Sequence, residues 1–255
     1  MTTALLAPDV GPAQRASVLG RANPLVKLGI ALAWLIGMGL TLDIRPPLIL
    51  TLVVLVAGLQ LGGLSLGMVA RRIAPLWVAI LGIAAANLLF SAHNADPLAA
   101  ELARIGPLRI TQEAVEAAAG LAARVLSIVS VGAVFALTTD ATFLIDSLVQ
   151  LARVSPRFAY GTLAAYQAVP RLADDLATLR SARRLRGLRE WHPRLIVGLL
   201  VRAIRHADQL AVAMDARGFG AGPRSIFRPV RWRALDAVVG VVAVLVLVAA
   251  LVVAR

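Results

Sequence analysis

Two arginine–glycine pairs are the residues whose types and spacing could act on a partner. One closes the run Ser181-Ala182-Arg183-Arg184-Leu185-Arg186-Gly187, and the other lies in Ala213-Met214-Asp215-Ala216-Arg217-Gly218-Phe219-Gly220. Each ends a stretch of helical periodicity, and Arg186 and Arg217 stand 31 residues apart. Ordinary capping explains part of this. Arginine suits the negative end of a helix dipole, by about 0.3–1 kcal/mol, and glycine supplies a left-handed turn. Capping alone suffices for one such end. Two of them read better as a pair of docking tips, because arginine offers a planar fork of donors to a partner's carboxylates or carbonyls. On this reading Arg186, Gly187, Ala216, Arg217 and Gly218 make the contact. Arg183, Arg184, Leu185, Asp215, Met214 and Phe219 flank it, and Met214 and Phe219 could fill an apolar groove on the partner.

Other chemistries find little support. A phosphate-cradling loop needs a Gly-rich turn followed by lysine. The one lysine, Lys27, follows Asn23-Pro24 at the start of an apolar run. His93, His192 and His206 lie on different segments without metal-ligand spacing, and there is no cysteine. No nucleophile–base pairing is visible, so we expect no catalytic residues, no metal and no cofactor.

Of the 255 residues 59% are hydrophobic, well above a soluble domain, and they gather in blocks long enough to cross a bilayer. Five spans are expected: 25–42, 47–66, 73–91, 114–137 and 234–254. Thr111 is a plausible N-cap for the fourth, and Trp232 an interfacial anchor for the fifth. The fold class is therefore an all-α membrane protein. The net charge of +12 reflects arginine-rich cytoplasmic segments rather than nucleic-acid binding, since no groove-reading module is present. Thr138 to Arg233 holds 16 arginines against seven acids and is placed in the cytoplasm. Arg71-Arg72 reads as a short basic loop on the same side, and 92–113 as an outer loop. The domains expected are an N-terminal cytoplasmic tail (1–24), four spans (25–137), cytoplasmic helices (138–233) and a last span (234–255).

The cytoplasmic segment reads as one short and two long amphipathic helices. Asp140 starts the first; Ser155-Pro156 opens the second, which Pro170 should kink and Gly187 ends. Pro193 opens the third and Gly218 closes it. Within the spans, Arg124 is expected to snorkel or to pair inside the bundle, and Asn87 to hydrogen-bond between helices. Gly58, Gly62, Gly63 and Gly67 give small-xxx-small spacing.

The run from Ala213 to Gly220 resembles the second Ala-Arg-Gly signature of the transmembrane T component of energy-coupling factor (ECF) transporters, prokaryotic importers of vitamins and metal ions. Leu185-Arg186-Gly187 occupies the place of the first, with Leu185 where alanine is usual, so Arg183 after Ala182 is a rival docking arginine. Thr138-Thr139-Asp140, Val154-Ser155-Pro156-Arg157 and Asn23-Pro24-Leu25-Val26-Lys27-Leu28 are similar to other parts of the family, with Asn23 where aspartate is usual. The resemblance implies a multi-pass protein of the cytoplasmic membrane whose partners are two ABC ATPase subunits and a membrane substrate-binding (S) subunit. ATP-driven closure of the ATPases would move the two tips. The rival readings are a conventional ABC permease, which would line its own pore with polar residues, and a membrane-embedded enzyme, which would cluster His, Asp or Arg at one membrane face.

Overall fold

The computed structural model describes residues 10–39, 41, 43–91, 94, 100–105, 108–220, 222 and 226–253. Expectations that rest on residues 1–9, His93 or Asp96 lie outside them. The chain divides into two compact units, one of Val10–Asp140 with Trp232–Arg255, the other comprising Ala141–Arg231.

The first unit carries the apolar helices. They are α3 (Pro24–Gly39), α4 (Arg45–Leu61), α5 (Leu66–Ile73), α6 (Trp77–Leu89), α7 (Gln112–Thr138) and α11 (Ala234–Val253). Leu66–Leu89, Gln112–Thr138 and Ala234–Val253 are long and apolar enough to cross a membrane. The other two expected spans, α3 and α4, have 16 and 17 residues, short of the about 20 that a full crossing takes. Apolar side chains cover the outside as well as the core: Val78 is 78% exposed and Leu245 61%. Water would not tolerate so broad an apolar surface, whereas lipid requires one. Hydroxyls behave accordingly. Thr51, Ser130 and Thr138 each donate to the carbonyl four residues back, at 2.7–2.8 Å, which pairs these three in an apolar medium, while Ser127 Oγ of α7 has no partner among the described residues.

The core gathers Trp34 and Met38 of α3, Leu50 and Val54 of α4, Val131 and Val134 of α7 and Ala250 of α11. Glycine sets how closely these helices approach. A Cβ on Gly58 would stand 3.0 Å from Val134 Cγ2, and one on Gly62 3.1 Å from Thr138 Cγ2, so this end of α4 lies close against α7. Gly67, at the far end of the small-residue series, meets nothing. Gly58→Leu should force α4 off α7 at a cost of about 1–3 kcal/mol, read as a lower unfolding midpoint in detergent. An unchanged midpoint would show that this contact is slack.

Several local expectations are corrected. Arg71 and Arg72 are not in a loop: they form the last turn of α5, which begins at Leu66 because Ser65 Oγ accepts the amide of Met68 at 3.3 Å. There they face the negative end of the helix dipole. A 3₁₀ turn at Ala74–Leu76, containing Pro75, joins α5 to α6. Helix α4 stops at Leu61, earlier than expected, because Gly62 and Gly63 follow and Gly63 takes φ +62. Residues 10–23 are more than a tail: they form α1 (Pro12–Ala16) and α2 (Val18–Arg21), with Gln14 buried and its Nε2 donating to the Gly63 carbonyl at 3.3 Å. Asn87 does not bridge helices; its amide donates to Ile83 of its own helix at 2.9 Å. The 92–113 loop contains an antiparallel hairpin of β1 (Glu101–Ile105) and β2 (Leu108–Thr111). Thr111 then caps α7 as expected, accepting the amide of Ala114 at 3.3 Å, while Asn94 Oδ1 accepts from its amide and its hydroxyl. Arg124 pairs inside the unit by donating to the Thr41 carbonyl.

The second unit holds α8 (Ala141–Gln150), α9 (Pro156–Leu185) and α10 (Arg194–Ala216). Pro156 occupies the first turn of α9, where its missing N–H is harmless. The helix runs on through Pro170 to Leu185.

Candidate functional site: the two arginine-tipped helix ends

Helices α9 and α10 run antiparallel, joined by residues 186–193. Three contacts fix the register, each one helical turn further along. Arg171 Nη1 meets His206 Nε2 at 3.2 Å. Asp175 accepts from Arg202 at 2.5 Å. A Cβ on Gly198 would lie 3.7 Å from Leu179 Cδ1. Each step of four forward on α9 is a step of four back on α10, as an antiparallel pair of 3.6-residue helices requires. The exposed pairs add little energy singly. Their role is to set the register.

This topology puts the two arginine–glycine ends at opposite ends of the pair. Arg186 lies at the connection. Arg217 lies by the start of α9, where Arg157 Nη2 donates to the Gly220 carbonyl at 2.9 Å. The 23 residues of α10 set a separation of roughly 34 Å at 1.5 Å per residue.

The two ends share one backbone solution. Arg186 is the C-cap of α9, and Gly187 follows at φ +68. The Gly187 amide bonds the Arg184 carbonyl at 3.0 Å, and the Leu188 amide the Arg183 carbonyl at 3.1 Å. Arg217 is the C-cap of α10, and Gly218 follows at φ +67. The Gly218 amide bonds the Asp215 carbonyl and the Phe219 amide the Met214 carbonyl, both at 2.9 Å. Each is a Schellman motif, in which the left-handed residue must be glycine or cost about 1–2 kcal/mol. The motif turns the chain sharply and leaves the C-cap arginine at the corner. Arg186 and Arg217 are both exposed there.

The flanking residues divide by role. Arg183 Nε donates to the Arg189 carbonyl at 3.0 Å and Arg184 pairs with Glu190 at 2.5 Å, so both guanidinium groups fold the 186–193 connection back on α9. Arg180 stacks over Trp191 at 5.5 Å in the same connection. Leu185 stands 90% exposed beside Arg186, an apolar side chain with no cover from its own chain. Asp215 and Ala216 are exposed beside Arg217. Met214 and Phe219 are half-buried and line a cavity of about 400 Å³ between α9 and α10, together with Tyr160, Leu163 and Leu210.

Helix α8 is tied in by side-chain hydrogen bonds. Tyr160 donates to Asp146 Oδ1 at 2.9 Å. Burial, and then the adjacent carboxylate, push the Tyr160 phenol above its ordinary 10. Gln150 holds the returning strand of chain through the Arg228 carbonyl and the Val230 amide at 2.9 and 2.8 Å. Sequence reasoning passes over the contacts of Arg157, Gln150 and Asp146, because their partners lie 63, 78–80 and 14 residues away. It also misses a second face of α10, where Ile196, Val197, Leu200, Val201 and Ile204 are all exposed. The three-and-four spacing of these residues is legible in the sequence.

Residues 15–227 match the cobalt transport protein family, CbiQ. The EcfT transmembrane protein of Heliobacterium modesticaldum is 27% identical over 84% of this chain and 84% of its own length. The ECF transmembrane protein BioN of Rhizobium etli is 30% identical over 67% of this chain and 78% of its own. A Bifidobacterium longum protein named for ABC-transporter ATP binding is 29% identical over 88% of this chain, which spans only 30% of that relative's length. A membrane-suited helical fold, two arginine-tipped helix ends and a family match across most of its length agree: the chain belongs to the cobalt transport protein family, as a transmembrane T component of energy-coupling factor transporters.

Proposed function

We propose that this T component couples ATP hydrolysis, carried out by two cytoplasmic ABC ATPase subunits, to uptake of a vitamin or transition-metal ion bound by a separate membrane S subunit. The chain itself performs no chemistry. One observation carries the reading: the same arginine-cornered Schellman motif closes both ends of a single antiparallel helix pair. Tips roughly 34 Å apart cannot share one small site, but each can seat in one subunit of an ATPase pair. Arg186 and Arg217 are the docking cations. Arg183 is spent on the Arg189 carbonyl, which favours Arg186 as the first of them.

A stiff helix pair converts motion at its ends into motion along its length. The cross-helix contacts at each turn keep α9 and α10 moving together. The exposed apolar stripe of α10 is the surface on which an S subunit would ride, because its apolar side chains have no cover within their own unit. The Bifidobacterium longum relative supports the partnership, since a stretch similar to this chain lies within a longer protein named for ATP binding. The α8–α10 segment faces the cytoplasm on this reading, in line with its arginine excess.

Affinity purification of the tagged chain from its native membrane should recover two copies of ATPase subunit, identical or paired, and one small membrane protein. Intact-complex mass spectrometry reads the composition. Recovery of the chain alone, with transport activity of its own, would overturn the proposal in favour of a pore-forming permease.

A further inference from the structure

We propose that the membrane unit holds one anionic phospholipid, its phosphate at Lys27 and an acyl chain in the cleft between α3, α4, α7 and α11. The cleft measures about 420 Å³. Its walls include Ile30 and Trp34 of α3, Val134 of α7, and Val239 and Val246 of α11. Polar groups enter it at one end only, from Lys27 and Thr138. The one polar atom of Trp34 is already committed, its Nε1 donating to the Ala243 carbonyl at 3.1 Å. Such a lining does not hold water, and an empty volume of this size beside lipid forfeits dispersion contacts along its whole length. Val238 and Val242 of α11 stand 60% and 53% exposed at its edge, so the cleft opens to the bilayer.

Lys27 identifies the occupant. It is 8% exposed, and its Nζ donates to the Thr138 carbonyl at 2.8 Å. That carbonyl closes α7, where the helix dipole is negative, and it takes one of the three ammonium protons. Among the described residues no carboxylate lies within ion-pair distance of Lys27, so a buried cation stands without counter-charge, which is costly. The nearby Asp236 carboxylate is committed to the backbone amides of Asn23 and Arg233. Two further buried polar groups at this end have no partner among the described residues: Asn23 Nδ2, one helical turn before Lys27, and Thr139 Oγ1, next to Thr138. Exposed Arg21 and Arg233 precede α3 and α11. A phosphate supplies the counter-charge that Lys27 lacks, and its acyl chain fills the cleft. A partner's apolar helix would fill the cleft and leave the charge unanswered.

The test uses the full chain in nanodiscs of mixed phosphatidylcholine and phosphatidylglycerol, spiked with a photoreactive acyl-chain analogue of one or the other. Labelled peptides are located by mass spectrometry. The phosphatidylglycerol analogue should label residues 27–34 and 235–246 about fivefold more than the phosphatidylcholine analogue, the preference that one added cation supports. Lys27→Gln should abolish the preference, and Ala31→Trp should abolish labelling of α11 by filling the cleft. Val239→Trp fills it from the opposite wall and guards against disturbance of α3. Soluble glycerol phosphate should not compete. Equal labelling by the two lipids in the unaltered chain would mean annular lipid only and overturn the proposal. So would competition by glycerol phosphate, or labelling that persists in both tryptophan variants.

Discussion

Arg217→Glu should strip the chain of ATPase subunits while leaving it inserted in the membrane. Arg217 occupies the exposed corner of the second Schellman motif, outside every apolar helix, so its charge does not bear on insertion. Reversal removes charge-assisted bonds from the docked tip and sets like charges against each other. Truncating one partner of such a buried pair costs about 2–5 kcal/mol, roughly 30-fold to several thousand-fold in affinity. On the proposed function two tips on one ATPase pair would bind as a bivalent unit, so losing one would forfeit about 10²–10⁴ of avidity. Co-purified ATPase should fall below detection, and Arg186→Glu should do the same at the other tip. Arg217→Lys keeps the charge but not the fork, and should fall in between. Arg183→Ala should loosen the 186–193 connection yet retain the ATPases, since its guanidinium serves the Arg189 carbonyl. Full ATPase recovery with Arg217→Glu would remove the docking-tip reading.

Asp236→Ala should be the most damaging single change to the membrane unit. The carboxylate is 2% exposed and accepts the Asn23 amide at 2.7 Å and the Arg233 amide at 2.8 Å. These amides lead into α3 and α11, so the positive ends of two helices converge on one negative charge, which lies 213 residues from Asn23 in sequence. Alanine leaves the buried Asn23 amide and the part-buried Arg233 amide without their acceptor. At about 1.5–3 kcal/mol for each bond to a charged group, the expected loss is about 3–5 kcal/mol, or roughly a 10 °C fall in unfolding midpoint. Asp236→Asn keeps an acceptor without the charge and should lose about half as much. Detergent-solubilised protein followed by tryptophan fluorescence reads both. A midpoint lowered by less than about 2 °C in the alanine variant would show that the carboxylate is not what joins these ends.

Both variants rest on chemistry of different sequence range, and that range decides what could be read in advance. The arginine–glycine ends are legible in the chain because a Schellman motif is made within six consecutive residues: Met214 to Phe219 contain every donor and acceptor it uses. The Thr111 cap, the proline-led start of α9 and the apolar stretches are local in the same sense. The neighbourhood misleads where a local signal has two solutions. Arg71 and Arg72 carry loop-like charge, yet Ser65 caps a helix through them. Asn87 finds its acceptor four residues back rather than on another helix, because the i−4 carbonyl is always in reach.

By itself, then, the sequence determined the long helices, the Thr111 cap and the identity of the two cationic corners, since each depends on side chains and backbone groups a few residues apart. Tertiary structure alone decided that α9 and α10 run antiparallel with Asp175 on Arg202 and Arg171 on His206, and so that the corners point away from each other. It alone joined Asn23 to Asp236 and Lys27 to Thr138, and turned Met214 and Phe219 inward. The reason is that such partners are selected by how helix faces pack, and a face one residue out of register presents a different set of side chains.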